Sequence, residues 1–331
     1  MREIELLFEN VDADGSQGIY RHYPSTLTLS SERTCSASVL RGEIPDVSTN
    51  VPKMGATVRL KVDGVAVFYG RLFTTEIDRW GVMSFTAYDS LRYLKNNFSN
   101  YYKGTYSVQQ VIRDIAKQNG LEVGKLADVP SVGRDLKIDN ESGFDAISRI
   151  VDTSIVLTGR ILVFWDNLGK LTLSWADEMA SDIVVGDDSL ATDYRLSTSI
   201  DEDTYNVISF YRESSSAGGR AYEEAADEGN VRRWGELRMI ESVDDIMSDE
   251  QMADRAKKML EMKNRETKRM SITALGVVGL RAGMMINIHF PSVPDEISKR
   301  QMVILDSVEH TFQDSDHTMQ LEVRTFWRDT P

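Results

Sequence analysis

The sequence predicts a mainly β chain with an α+β insert: two small β-barrel domains flanking a small α+β domain. Three observations carry that expectation: short period-two segments at both ends, turn dipeptides between them, and helical spacing confined to a few runs. With 331 residues the chain exceeds the size at which one core usually stops growing, so two or three domains follow.

The first segment, 1–95, is a series of short period-two runs to about Asp89. Ile4, Leu6 and Phe8 share one face, as do Leu27 and Leu29, and then Val58, Leu60 and Val62. Asp63-Gly64 follows, a dipeptide suited to the positive φ angles of a tight hairpin, and Val65 to Phe73 is the returning strand. Another strand runs from Gly81 through Phe85 and Ala87, after which Asp89 can cap a short helix carrying Leu91 and Leu94. Closing these strands into a barrel removes their exposed edges.

Segment 96–190 changes period. Ser107 with Gln110 is a capping-box signal, and Val108, Val111, Ile112, Ile115 and Ala116 form one apolar stripe that Gly120 ends. A second helix starts after Ser142, uses Phe144, Ile147, Val151 and Ile155, and stops at Gly159. A hairpin follows, Ile161 to Trp165 and Leu171 to Trp175, joined by Asp166-Asn167-Leu168-Gly169.

Segment 191–331 returns to strands. Val207 to Tyr211 is one; residues 214–229, rich in serine, glycine and carboxylates, read as a mobile acidic loop. Ser248 and Gln251 open a helix over 248–264 with Met252, Ala256, Met259 and Leu260 on its apolar side. Strands are expected at Arg269 to Leu275, Met284 to Phe290, Met302 to Glu309 and Met319 to Thr325.

Charge narrows the function classes. With 52 acidic against 38 basic side chains the net charge is −14, which disfavours specific nucleic-acid binding, although an acidic lumen would let a polyanion pass. Cys35 is the single cysteine, so no intrachain disulfide forms. The start, Met1-Arg2-Glu3, lacks an apolar signal core, and no run approaches membrane-spanning length. Cytoplasmic synthesis with release by lysis, and no direct membrane insertion, is the expectation.

Chemistry-bearing patterns are sparse. Asp12-Ala13-Asp14-Gly15 suggests calcium, but an EF-hand needs glycine and glutamate where Gln17 and Tyr23 stand, and a polar turn is the better reading. His310 and His317 flank Asp314 and Asp316, a set of ligand types suited to zinc, yet without recognisable ligand spacing and in a stretch that needs polar turn residues anyway. His22 and His289 are isolated. No nucleophile elbow, HExxH helix, phosphate loop or dinucleotide turn is present, so no catalytic, cofactor-binding or metal residue and no cofactor is expected. Trp165 and Trp175 could form a sugar-stacking platform, the basis of an alternative reading as a cell-wall-binding or peptidoglycan-hydrolysing protein; aromatic filling of a core is favoured.

Several segments, taken in order, resemble the baseplate hub family of contractile phage tails, defective prophages and tailocins, also called late control protein D-like. They are Thr86-Ala87-Tyr88-Asp89-Ser90-Leu91-Arg92-Tyr93-Leu94 and Phe164-Trp165-Asp166-Asn167-Leu168-Gly169-Lys170-Leu171-Thr172-Leu173. Gly279-Leu280-Arg281-Ala282-Gly283-Met284, Val303-Ile304-Leu305-Asp306-Ser307-Val308-Glu309-His310 and Thr318-Met319-Gln320-Leu321-Glu322-Val323 complete the set. The resemblance implies a non-enzymatic homotrimer in a virion or tailocin baseplate. Each copy would supply two tube-like barrels, giving six similar domains that dock on a six-fold tail tube above and a three-fold central spike below. It also implies neighbours among the wedge and LysM-type tail proteins.

Overall fold

The computed structural model describes all residues except 1, 12–16, 35, 48–50, 132–134, 202, 214–219, 244–246, 294–297, 315 and 325–331. The chain folds as two units, Met1–Arg195 with Met270–Pro331, and Leu196–Arg269.

The larger unit begins with β1 (Ile4–Val11), β2 (Gln17–His22), β3 (Thr26–Glu32), β4 (Val39–Ile44), β5 (Thr57–Val62), β6 (Val65–Ile77) and β7 (Met83–Tyr88). Asp63 (φ 51°) and Gly64 (φ 78°) make the tight β5–β6 turn that their residue types favour. Alternation works as expected: Leu6 and Phe8, Leu27, and Val58, Leu60 and Val62 are all buried in one core. In strand order Phe8 on β1 and Phe85 on β7 are three strands apart, yet their rings meet at 5.3 Å. A flat sheet would separate those strands by about 14 Å, so this one is rolled.

The α+β part comprises β8 (Asn97–Tyr102), α1 (Val108–Gln118), β9 (Glu122–Leu126), β10 (Leu136–Ser142), α2 (Gly143–Thr158), β11 (Leu162–Asp166) and β12 (Lys170–Trp175). The side-chain oxygens of Ser107 and Ser142 accept N–H bonds at the two helix starts, and Gly159 (φ 69°) ends α2 in the left-handed conformation. Val108, Val111, Ile112 and Ile115 are buried against a core shared with α2 and the strands, worth about 6–10 kcal/mol before entropy is subtracted. β8, β9 and β10 are not expected from the sequence; each buries at most two side chains fully, Phe98 and Tyr102 on β8 and Leu136 and Ile138 on β10.

Next come β13 (Ala180–Gly186) and β14 (Ala191–Ser199); β15 (Val207–Glu213), β16 (Arg220–Ala226), α3 (Glu228–Trp234), β17 (Arg238–Ser242) and α4 (Asp249–Lys263) follow. The chain ends with β18 (Thr267–Leu275), β19 (Met285–His289), β20 (Gln301–Gln313) and β21 (Asp316–Arg324). The smaller unit is the sheet β16-β15-β17 with α4 packed on it through Ile208, Phe210, Met252 and Ala256.

Two parts of the expected 191–331 segment read differently in the structure. The mobile loop expected over 214–229 is corrected at its C-terminal side: Arg220–Ala226 is β16, paired along its length with β15, and Asp227 caps α3. Residues 214–219 lie outside the described residues. β13, within the segment expected to be insert, pairs with β19, so by pairing the last sheet begins near 180 rather than 191.

The strand orders of the two β-rich parts coincide. The first is β3-β4-β7-β6-β5-β1, with β2 added outside β1; the second is β14-β18-β21-β20-β19-β13. Ranked by appearance in the chain, and leaving β2 aside, both read second, third, sixth, fifth, fourth, first. The edge strands β13 and β14 are separated by only four residues, a reach of about 17 Å. A flat six-strand sheet would put them about 24 Å apart, so this module is rolled as well. The extra strand β2 reverses the approach of β1, which explains why β1 runs antiparallel to β5 whereas β13 runs parallel to β19. The two modules join edge to edge, β3 antiparallel to β20 over Thr26–Glu32 and Ser307–Gln313. Arg33 Nε to Asp306 Oδ1 (2.7 Å) and Ser30 Oγ to Glu309 Oε2 (2.8 Å) pin that joint.

Candidate functional site

Three turns, far apart in sequence, deliver charged side chains to one place in the larger unit. At the end of β7, Asp89 caps the 3-10 turn Ser90–Lys95: its Oδ1 accepts the Leu91 N–H (3.0 Å) and its Oδ2 the Ser38 N–H (2.8 Å). In the β11–β12 hairpin, Asp166 Oδ1 accepts the Gly169 N–H (2.7 Å), closing a turn in which Leu168 (φ 51°) and Gly169 (φ 92°) are left-handed. Before β19, Gly279 to Gly283 brings in Arg281, whose Nη1 donates to the Asp166 backbone oxygen at 2.9 Å and whose guanidinium lies 4.0 Å above the Trp165 ring. Gly283 is obligatory: at φ 86° it is left-handed, and a Cβ there would fall 2.3 Å from Val163 Cγ1.

These groups line a cavity of about 340 Å³ together with Tyr69 and His310. Asp89 is 3% and Asp166 5% exposed. Burial, then the neighbouring Asp166, pushes the Asp89 carboxyl up to about 7; burial also raises Asp166, opposed by the Gly169 N–H. Burial lowers Arg281 to about 10, and the two carboxyls oppose that shift. Physically, one guanidinium can balance one carboxylate in a place with little water, so the second carboxyl keeps its proton near neutrality. Asp166 Oδ2 and Arg281 Nε have no hydrogen-bond partner among the described residues. The arrangement ties the end of the first module, the insert hairpin and the start of β19 to one buried charge cluster. Both Asp89 oxygens are occupied by backbone N–H groups, so the carboxyl positions chain rather than presenting itself to a reactant.

The histidine and aspartate set whose types would suit zinc, but for which a polar turn is the better reading, is arranged around a histidine pair. His310 and His317 do come together, but on each other: His310 Nε2 donates to the Leu280 oxygen (2.7 Å), which leaves His310 Nδ1 to accept from His317 Nε2 at 3.0 Å. Asp314 and Asp316 lie at an exposed turn, and among the described residues no three potential ligands group together. Burial lowers both histidines, His317 to about 4 with the His310 charge as a second cause. The two tryptophans form no platform: Trp175 is buried in the insert core opposite Leu162, whereas Trp165 sits opposite Thr172 with Arg281 over its face. The calcium pattern at Asp12 and Asp14, and Cys35, lie outside the described residues. No helix among the described residues is long and apolar enough to cross a membrane.

Nothing local in the sequence marks Asp89, Asp166 and Arg281 as partners. Each stands in a segment that carried the family resemblance, and their convergence gives those scattered segments a common physical cause.

Comparison with known proteins agrees with the fold. The YQBQ-like family matches residues 27–324. The chain is 29% identical over 325 residues to YqbQ of Bacillus subtilis (strain 168), covering 97% of this chain and 93% of that protein. It is 26% identical over 324 residues to the phage-like element PBSX protein XkdQ of the same organism, again covering 97% and 93%. Among solved structures, the 43 kDa tail protein of prophage MuSo2 from Shewanella oneidensis superposes with a TM-score of 0.72 at 11% identity, covering 98% of both chains. The Escherichia coli c3393 protein has a TM-score of 0.55 at 9% identity, covering 98% of this chain and 77% of that one. It is described as a type VI secretion component with structural similarity to bacteriophage T4 tail proteins gp27 and gp5. With the family match spanning all but the chain's ends and the mainly β fold shared with a prophage tail protein, the chain belongs to the YQBQ-like family.

Proposed function

We propose that the chain is a structural baseplate hub subunit of a contractile phage tail or phage-tail-like bacteriocin. Three copies form a ring that adapts a six-fold tail tube to a three-fold central spike. The observation that supports this most is the duplicated strand order: a trimer of a chain carrying two like modules presents six similar units around one axis, yet keeps three-fold symmetry for a partner on the other side. The relative XkdQ from a phage-like element and the c3393 likeness to gp27 and gp5 point the same way.

On this reading the two β modules, at 1–95 and in the C-terminal part, build the ring that meets the tube and the spike, and wedge and LysM-type proteins are its further neighbours. The polypeptide acts by position and supplies no chemistry, cofactor or metal. Its charge of −14 suits a lumen that polyanions traverse without sticking. It resides in the baseplate of a particle released from the cell that made it.

Light scattering of the purified protein with its spike partner tests the stoichiometry: three copies per spike trimer are expected. A chain that stays monomeric at every concentration in that mixture would overturn the proposal.

A further inference from the structure

The two modules differ in one respect that their shared topology makes informative. In each, the fifth strand is 13 residues long, far longer than the strand it leaves: β6 follows β5 of 6 residues, and β20 follows β19 of 5. Each long strand therefore overhangs its partner. In the second module the overhang is filled, because β3 lies along Ser307–Gln313. In the first module Leu72 still bonds to the Gly55 and Ala56 backbone, but from Phe73 to Ile77 the side of β6 away from β7 has no strand among the described residues.

The complementary vacancy is on β14, the counterpart of β3. Among the described residues it pairs with β18 alone and ends the strand order. Its segment Ala191–Arg195 belongs to the larger unit. Both strands are rich in small hydroxyl residues, Thr26, Thr28 and Ser30 on β3 against Thr192, Ser197 and Thr198 on β14.

We infer that β14 of one copy pairs antiparallel with the Phe73–Ile77 overhang of β6 in a second copy, repeating between chains the joint that β3 and β20 make within one. The inference rests on the proposed ring and names the surface that closes it. Unpaired strand edges are sites that soluble proteins cover or blunt, and this pairing covers two at once. A head-to-tail contact of this kind generates a ring when its rotation closes. Within the chain, Thr26 at the start of β3 lies opposite Gln313 at the end of β20. By the same register the start of β14 meets the end of β6. There the exposed apolar side chains agree: Ile77 is 47% and Trp80 71% exposed beside one edge, and Leu275, whose N–H bonds to the Leu190 oxygen next to β14, is 52% exposed beside the other.

Cysteine pairs test it in the full chain with Cys35→Ser. Thr192→Cys is combined in turn with Thr75→Cys, Glu76→Cys and Ile77→Cys, and oxidised samples are run on non-reducing gels beside light scattering. The pair Thr28→Cys with Thr311→Cys, opposite each other in the internal joint, is the positive control. Covalent dimers and trimers from at least one combination, absent from each single variant, are expected. A trimer by light scattering in which no combination cross-links while the control does would overturn this surface and leave the ring standing. A monomer that never cross-links would overturn both. Cross-linked open polymers would support the edge contact but sink three-fold closure.

Discussion

His310 Nδ1 and His317 Nε2 share one proton across 3.0 Å in the second β module, with His317 stacked on Phe312 at a centroid distance of 4.2 Å. Burial leaves a cation on either ring poorly solvated, and two charged rings at this distance would repel each other. The folded pKa of His317, about 4, lies below its ordinary 6.5, so between those values the unfolded chain binds the proton that the folded chain refuses. The pair's contribution is complete above 6.5 and is lost as pH falls toward 4. His317→Gln should therefore gain stability relative to the parent as pH drops through that window, read from urea midpoints at several pH values. A constant offset between the two proteins would refute the assignment.

Asp89 carries the opposite sign. Its folded pKa, about 7, lies above the ordinary 3.8, so from 3.8 upward the unfolded chain releases a proton that the folded chain holds, and stability falls as pH rises. Asp89→Asn loses one N–H acceptor in acid but escapes that decline. Relative to the parent it should improve by roughly 2–4 kcal/mol between pH 4 and pH 7. Parallel stability curves for the two proteins would show that Asp89 is ionised in the fold throughout.

Arg281→Met keeps an aliphatic side chain but removes the guanidinium over Trp165 and leaves two buried carboxyls without their cation. Removing one partner from a buried charge cluster typically costs about 3–5 kcal/mol. Replacing Asp89 and Asp166 by Asn at the same time should recover a substantial part of that loss, because the uncompensated charge goes with them. A triple variant no more stable than Arg281→Met would mean that Arg281 acts through packing alone.

What the sequence disclosed divides by range. Helix starts at Ser107, Ser142 and Ser248, the Asp63-Gly64 turn and the Ile161 to Trp175 hairpin were legible because capping and turn geometry are set within a few residues. β16 was not: its pattern of charged residues and alanines buries nothing fully, so a polar strand on a small sheet looked like a loop. The Asp89, Asp166 and Arg281 cluster was invisible for a different reason. Long-range convergence leaves no periodicity, and a lone aspartate after a strand reads as an ordinary cap. The turn at 313–316 was legible from its polar residues, but nothing in the sequence shows that the histidine nitrogens turn toward each other and toward Leu280.

Gly283 and Gly279 form a matched pair, with φ 86° and 84° in the same segment. Alanine at Gly279 meets nothing within 4 Å and should cost only the left-handed strain of about 1–2 kcal/mol. Alanine at Gly283 adds a collision with Val163, so it should be the more destabilising. Val163→Ala, itself a cavity-forming change, should reduce the penalty of Gly283→Ala in a double-mutant cycle. Equal melting temperatures for the two single glycine variants would rule out the clash.

In the Leu196–Arg269 unit, α4 is held at its start by a reciprocal pair: the Gln251 N–H donates to Ser248 Oγ (3.3 Å) and the Ser248 N–H to Gln251 Oε1 (3.0 Å). Asp249 adds an ion pair with Arg212 at 2.7 Å, but it is 61% exposed, and such pairs contribute little. Ser248→Ala should therefore destabilise the helix by about 1 kcal/mol and Asp249→Asn by about half a kcal/mol or less. Hydrogen exchange separates the two, since faster exchange should appear at the first-turn amides of α4 in Ser248→Ala and scarcely in Asp249→Asn. Because only Met252 and Ala256 of this helix are fully buried, its anchorage depends on that first turn more than on a broad apolar face. If protection instead falls equally along the whole helix, α4 opens as one piece with its sheet, and the cap stabilises the unit rather than the turn.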